Sequence, residues 1–331
     1  MTRSKSDLAG ISRNVLVRLA IGFLLTTAGP AAAQGIDFDH TQIQTEKVAP
    51  DLYALRGSPN TDPLHPDAAG GCIGIWVGTD GVFMVDASYP QLSEKIIDAI
   101  RKITPLPIKY LVNTHAHRDH VSGNPNFAKL GATILAREEV RQRMDGPQPP
   151  EDKVSTTDPA RLPTITYELG DPIKIRMGRE TIDLIPVRRA HTDGDTIVKF
   201  EKSDAIMTGD FYRSYGYPYV DASAGGTVEG TIDALETLLR ISGPATKFIP
   251  GHGSVVGREA VAAERDMIVD VVGRVKKMIA EGKTRDEVLT ARLTASYDAK
   301  VRGGLDQLPR STATTADRFV DAVYSEFQLK R

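Results

Sequence analysis

The sequence predicts a layered α/β fold, with two β-sheets packed together and helices outside them. Strand-like runs come in two batches, each followed by a stretch of helical spacing. Several of these runs end in histidine or aspartate. The chain has 331 residues, 40% of them hydrophobic and 25% charged, which is ordinary globular composition with enough chain to bury a large core.

Taken in order, "VAPDLYALRG" reads as a first strand. "CIGIWVGTDGVFMVD" is two apolar runs around Asp80-Gly81, the signature of a hairpin. Residues 91–103, "QLSEKIIDAIRKI", place Leu92, Ile96, Ile97 and Ile100 at helical spacing. Pro105 and Pro107 end that helix, and "IKYLVNTH" reads as a buried strand running to His115. "TILA" is a short strand and "EEVRQRM" a short helix, and the proline-rich, polar residues 145–163 read as a long surface loop. "IKIRM", "TIDLIPV" and "TIVKF" are strands by β-branched content and alternation. "DAIMTGD" and "KFIPGHG" are two more, ending at Asp210 and near His252. Residues 230–241 and most of 257–329 read as helix.

The N-terminus has a different character. Arg3, Lys5, Arg13 and Arg18 precede "LAIGFLLTTAG", and Ala31-x-Ala33 follows. This reads as a secretory signal over residues 1–33, cut before Gln34, with an apolar run too short to span a bilayer comfortably; the alternative is an uncleaved anchor. Its removal takes away four positive charges and Asp7, moving the formal charge from −2 to about −5. An acidic mature chain without a basic run gives no reason to expect nucleic acid or, after cleavage, a membrane as partner. Cys72 is the only cysteine, so export implies no disulfide scaffold, and a bacterial periplasm is the expected compartment. Within "CIGIWV", Cys72 reads as a small buried hydrophobe.

Five of the seven histidines fall into strand-end motifs: "THAHRDH", "AHTDGD" and "PGHG", with "MTGDF" supplying an aspartate. His115 and His117 are two apart and project to one side of an extended segment. With His191 they offer three nitrogens and leave a fourth position open, the pattern of a catalytic rather than structural zinc. Asp119 and His120, with His252, are positioned to hold a second ion, and Asp210 is the candidate bridge between the two. His40 and His65 lie outside these motifs, in loop-like sequence where solvated histidines are expected.

HxHxDH, then a lone His, a strand-end Asp and Pro-Gly-His-Gly, resembles the metallo-β-lactamase superfamily from about Val48 to about Val256. The resemblance implies an αββα sandwich of two mixed sheets with helices on the outer faces. It implies a first zinc on His115, His117 and His191 and a second on Asp119, His120 and His252, two Zn2+ per chain. It makes residues 34–256 the catalytic domain and residues 257–331 a C-terminal helical extension packed on it. Asp210 departs from the cysteine or serine of most antibiotic-hydrolysing members and is more usual among thioesterase and lactonase branches.

The expected activity is attack by a metal-held hydroxide on an activated carbonyl, first of all a β-lactam, with Asp119 orienting or relaying the proton. The alternatives are a lactone or thioester substrate and, outside catalysis, a periplasmic zinc-binding protein. Arg213 is either a grip for a substrate carboxylate or a surface arginine in an ion pair. Tyr212 and Tyr215, with Tyr217 and Tyr219, either line a small-molecule substrate rim or pack as an aromatic loop. Asp86 either orients a metal-binding histidine or caps the helix at 91–103.

Overall fold

The computed structural model describes residues 35–146, 158–309 and 311–330. The signal expected over residues 1–33 lies outside these. The first sheet has seven strands in sequence order. They are β1 Ile43–Ala49, β2 Leu52–Gly57, β3 Ile73–Val77, β4 Val82–Val85, β5 Ile108–Val112, β6 Thr133–Arg137 and β7 Ile165–Tyr167. The second sheet, in the order β12-β11-β10-β9-β8, is made of β8 Ile173–Met177, β9 Glu180–Pro186, β10 Thr196–Phe200, β11 Ala205–Met207 and β12 Lys247–Ile249. Both sheets are mixed. β1 to β4 are antiparallel and β4 to β7 parallel, while β11 and β12 form the one parallel pair of the second sheet.

The period-2 alternation of side chains builds four layers. Phe83 and Val85 of β4 point between the sheets, where they meet Val198 and Phe200 of β10 and Met207 of β11. Val82 and Met84 point the other way, onto Ile96, Ile97 and Ile100 of α1, Ser93–Ile103. On the far side, Ile197 and Ile206 face helices α5 (Val228–Ile241), α6 (Arg258–Ala280) and α8 (Thr315–Gln328). Their contributions include Leu235, Leu238, Ile268, Val271, Phe319 and Val323. The architecture is the αββα sandwich. Among the described residues, no helix is long and apolar enough to cross a membrane.

Four details differ from the sequence reading. The segment read as one first strand is a hairpin, because Asp51 takes a left-handed turn (φ 62°) and a polar edge strand, "IQTEKVA", precedes it. Edge strands need little apolar content, so alternation does not reveal them. β7 and the end of the proposed surface loop are also structured. Arg161 and Leu162 are buried, and the Arg161 carbonyl accepts from Asn124 at 3.0 Å. β5 stops at Val112, three residues short of His115. Finally, after α7 (Arg285–Thr290), turns rather than helix fill most of the stretch before α8.

Candidate metal centre

The loops that carry the site all leave the C-terminal ends of strands at one rim of the sandwich, where α/β folds gather ligands. β5 leads into residues 113–117 and the short helix α2, Arg118–Val121. β9 leads to His191, β11 to the turn at Gly209–Phe211 and β12 to His252. The amide of Thr196, in the second sheet, donates to the Thr114 carbonyl of the first-sheet loop at 2.9 Å. Close backbone approach fixes the rest. A Cβ on Gly251 would lie 1.9 Å from Asp210 Oδ1, and one on Gly71 2.2 Å from the His120 ring. Only glycine lets these chains pass.

His115, His117, His120 and His191 are each held by one nitrogen and present the other, whereas neither ring nitrogen of His252 has an aligned hydrogen-bond partner. His115 Nδ1 lies 3.1 Å from Thr114 Oγ1, whose hydroxyl donates to Asp86 at 2.7 Å. His117 Nε2 is 2.9 Å from Asp221, and His191 Nδ1 is 2.6 Å from the Tyr219 carbonyl. His120 Nδ1 is 2.8 Å from Asp86 Oδ2. Such outer partners fix ring orientation and tautomer. The presented atoms converge. His117 Nδ1 and His191 Nε2 are 2.9 Å apart, His120 Nε2 is 3.1 Å from Asp210 Oδ1, and His252 Nε2 is 3.1 Å from Asp119 and 3.2 Å from Asp210.

These contacts leave buried polar atoms unsatisfied. His115 Nε2, His120 Nε2, His252 Nε2, Asp119 Oδ2 and Asp210 Oδ1 are all buried without an aligned hydrogen-bond partner. An uncompensated polar group of this kind costs roughly 1–3 kcal/mol, so five at one point require a common explanation. A cation supplies it. Two overlapping sets have every donor atom within 4.8 Å of the others: His115, His117, His191 and Asp210, and His120, Asp210 and His252. Imidazoles and carboxylates at this spacing fit zinc well. Asp210 belongs to both sets.

Electrostatics points the same way. Burial, reinforced by the neighbouring histidines, holds His115 well below its ordinary pKa and takes His191 down to about 3, keeping both neutral as metal ligands must be. Burial alone would raise Asp119 and Asp210, but the adjoining histidines outweigh it and hold both carboxyls well below the usual range. Conversely, the carboxylates overcome burial at His120 and His252 and raise both.

A third set, His65, Asp119 and His252, corrects the sequence reading of His65 as a solvated loop histidine. Asp62 holds its Nδ1 at 3.0 Å, its ring stacks on His252 at 4.1 Å, and its Nε2 faces Asp119 at 3.8 Å. The available signal was local: Asp62 three residues earlier, and prolines on both sides that fix the loop. His40 does lie at the surface, against Asp37.

Around the metal-facing atoms lies a cavity of about 360 Å³ whose lining includes His65, His117, Asp119, Arg213, Tyr215 and Tyr219. Arg213 is buried rather than at the surface, with Nη1 4.0 Å from Asp210. Tyr215 donates its hydroxyl to Asp306 at the cavity wall. Tyr212 does not reach the cavity. It is buried in the apolar cluster of the second sheet, where its ring packs with helix residues. Tyr217 is buried in the same cluster, donating to Asp298 at 2.7 Å. Tyr219, by contrast, stacks on His117 with centroids 6.1 Å apart. Asp86 lies beneath His115 and His120, and the helix near it has no side-chain cap. Burial pushes the Cys72 thiol up to about 12 and makes it a poor nucleophile.

Residues 72–257 match the model of the metallo-beta-lactamase superfamily. The chain belongs to that superfamily. It is 20% identical to the metallo-beta-lactamase type 2 of Bacillus cereus over 193 residues, 57% of this chain and 69% of that one. Among solved structures it resembles the metallo-beta-lactamase from Pontibacter korlensis, at TM-score 0.57 and 15% identity, covering 69% of this chain and 100% of that. It also resembles the inverting sec-alkylsulfatase Pisa1 from Pseudomonas sp., at TM-score 0.59 and 15% identity, covering 86% of this chain and 50% of that. At such identities these structures share the fold. Family and site together make the chain a superfamily hydrolase with a candidate metal centre.

Proposed function

We propose that this protein is an exported, two-zinc hydrolase that opens an activated carbonyl, with a β-lactam amide as the first expected substrate. The convergence of unsatisfied donors on Asp210 carries the two-metal part of the reading. His115, His117, His191 and Asp210 would hold one ion, and Asp119, His120, His252 and Asp210 the other. When bound, such ions polarise a carbonyl and lower the pKa of water.

This chain's own residues supply the remainder. Asp119 presents Oδ2 among His65, His120 and His252, where it would orient or relay the proton delivered to a leaving group. Arg213 offers a planar donor pair to a substrate carboxylate. Tyr215 contributes to the cavity wall. The N-terminal leader motif supports a periplasmic location, where β-lactams meet their targets. Asp210 favours a second reading, a lactone or thioester, because a carboxylate shared by two ions weakens the electrophilic help that an amide nitrogen needs on departure.

The zinc-loaded protein should be assayed against nitrocefin, a long-chain homoserine lactone, a glutathione thioester and p-nitrophenyl sulfate, with chelator controls. Chelator-sensitive turnover of nitrocefin is expected. Turnover confined to the lactone or thioester moves the substrate to the second reading, and no turnover of any of the three carbonyl substrates, with or without turnover of the sulfate, overturns the proposal. Cys72→Ala should retain full activity, and a trapped acyl-enzyme would remove the mechanism.

A further inference from the structure

Helix α8 lies outside the segment matched by the family, yet it delivers a side chain to the cavity over the metal centre. Arg318 sits one turn into that helix, whose start is fixed by a capping box between Thr314 and Asp317. Its guanidinium carbon lies 4.3 Å over the ring of Tyr219. The same Tyr219 ring stacks on His117, and its carbonyl holds His191. Arg318 is thus one aromatic ring away from two candidate metal ligands.

Arg318 is also unpaired. Among the described residues no carboxylate lies within ion-pair distance of it, and its Nε is buried without a partner. The Nε of Arg213, which lines the same cavity, is likewise buried and unsatisfied. Asp67, Asp119 and Asp306 line the cavity too, but none forms an ion pair with either arginine, and Asp210 meets Arg213 alone, 4.0 Å from its Nη1. Glu264, beside Arg213 in an adjoining cavity, is pushed toward its neutral form by burial and forms no pair with it. Stacking on tyrosine attracts a cation but does not cancel its charge. Burial, then repulsion from Arg213, brings Arg318 down to about 10. Two partly desolvated guanidinium groups with a single carboxylate between them, Asp210 at 4.0 Å from Arg213 and none at Arg318, are costly to fold, and forked donors of this kind match oxyanions.

We propose that Arg318 is a specificity-determining residue, which with Arg213 forms a two-guanidinium receptor for an oxyanion group on the substrate. The group is a carboxylate, sulfate or phosphate carried beside the bond to be cleaved, so neutral esters and amides are poor substrates. As a statement about substrate, this rests on the hydrolase reading above. The receptor itself is a property of the folded cavity.

The test separates the two. Metal-loaded wild type and Arg318→Gln are titrated calorimetrically with acetate, sulfate and phosphate, which distinguishes the three anions. Both proteins keep the metal centre, so the difference belongs to Arg318. The variant should bind the preferred anion about ten- to a hundredfold more weakly, the worth of a charged hydrogen bond. In kinetics with benzylpenicillin and its methyl ester, KM should rise for the acid and stay unchanged for the ester. If the variant melts early, Arg318→Lys keeps the charge and stem and should show a partial loss. In wild type, the preferred anion should protect Arg318 from phenylglyoxal, read by peptide mass spectrometry. Equal anion affinity in wild type and a well-folded variant, or no protection, overturns the receptor. Receptor binding without hydrolysis of any substrate overturns the hydrolase reading alone.

Discussion

The two halves of the candidate metal centre differ in charge more than in geometry. One set, His115, His117 and His191, is a nitrogen face whose neutral form is enforced by burial. The other places His120 and His252 among Asp86, Asp119 and Asp210, and those carboxylates raise the pKa of both histidines. The first half is made ready for an ion by desolvation, the second by charge. They meet at Asp210.

Removing the shared residue should therefore do most. Asp210→Ala should lower kcat/KM by more than a hundredfold, beyond the roughly 10- to 100-fold typical of an outer partner. Elemental analysis should find both ions depleted. Loss of only one ion would show that the halves are independent. His252→Ala should leave about one ion per chain, held by the nitrogen face, and two retained ions would break the division.

Asp86→Asn should weaken metal affinity by about 10- to 100-fold, since Asp86 holds His120 directly and His115 through Thr114. Competition with a chromophoric chelator measures it. The smallest effect concerns pH. In chelator-stripped protein, His120 and His252 have pKa values raised above 6.5, so their stabilisation is full below pH 6.5 and is lost as pH climbs through the raised values. His65, His115 and His191 are depressed, so stability also falls on acidification below 6.5, where the unfolded chain takes up protons they refuse. The Tm of stripped protein should peak near pH 6.5. Zinc replaces protons at the second half, so the Tm gained on loading should grow from pH 6 to pH 8. A constant gain would contradict the charge difference.

The same contrast explains what the sequence disclosed. HxHxDH stands out because the motif packs four donor residues into six positions, and Asp210 and His252 stand out because each ends an apolar run. The two packed sheets were legible because the strands carry β-branched and apolar runs in two batches. His65 was not legible. It lies in a loop with no period, and only folding stacks it on His252, far along the chain. Arg318 was hidden for the same reason, on a helix whose spacing reports the buried face of Phe319 and Val323 and nothing about the cavity. β1 escaped because an edge strand with a polar face lacks the apolar alternation by which strands are read. Of the four tyrosines after Asp210, the sequence could not say which turns inward. Tyr212 and Tyr217 entered the core, Tyr215 and Tyr219 the cavity wall.

The hydrogen bond between Thr196 and Thr114 has a kinetic meaning. It joins the start of β10 to the loop after β5 at the point where donors from residues 115 to 252 come together, and most of those donors are distant in sequence. Neither sheet alone offers a complete set, so an ion cannot template the early stages of folding. It can enter only when the sheets have docked, and parallel pairing among β4, β5, β6 and β7 makes that a slow step. Contacts formed after the transition state slow unfolding without speeding folding. Metal in the refolding buffer should leave the folding rate unchanged and act as a fastener that lengthens the lifetime of the assembled sandwich.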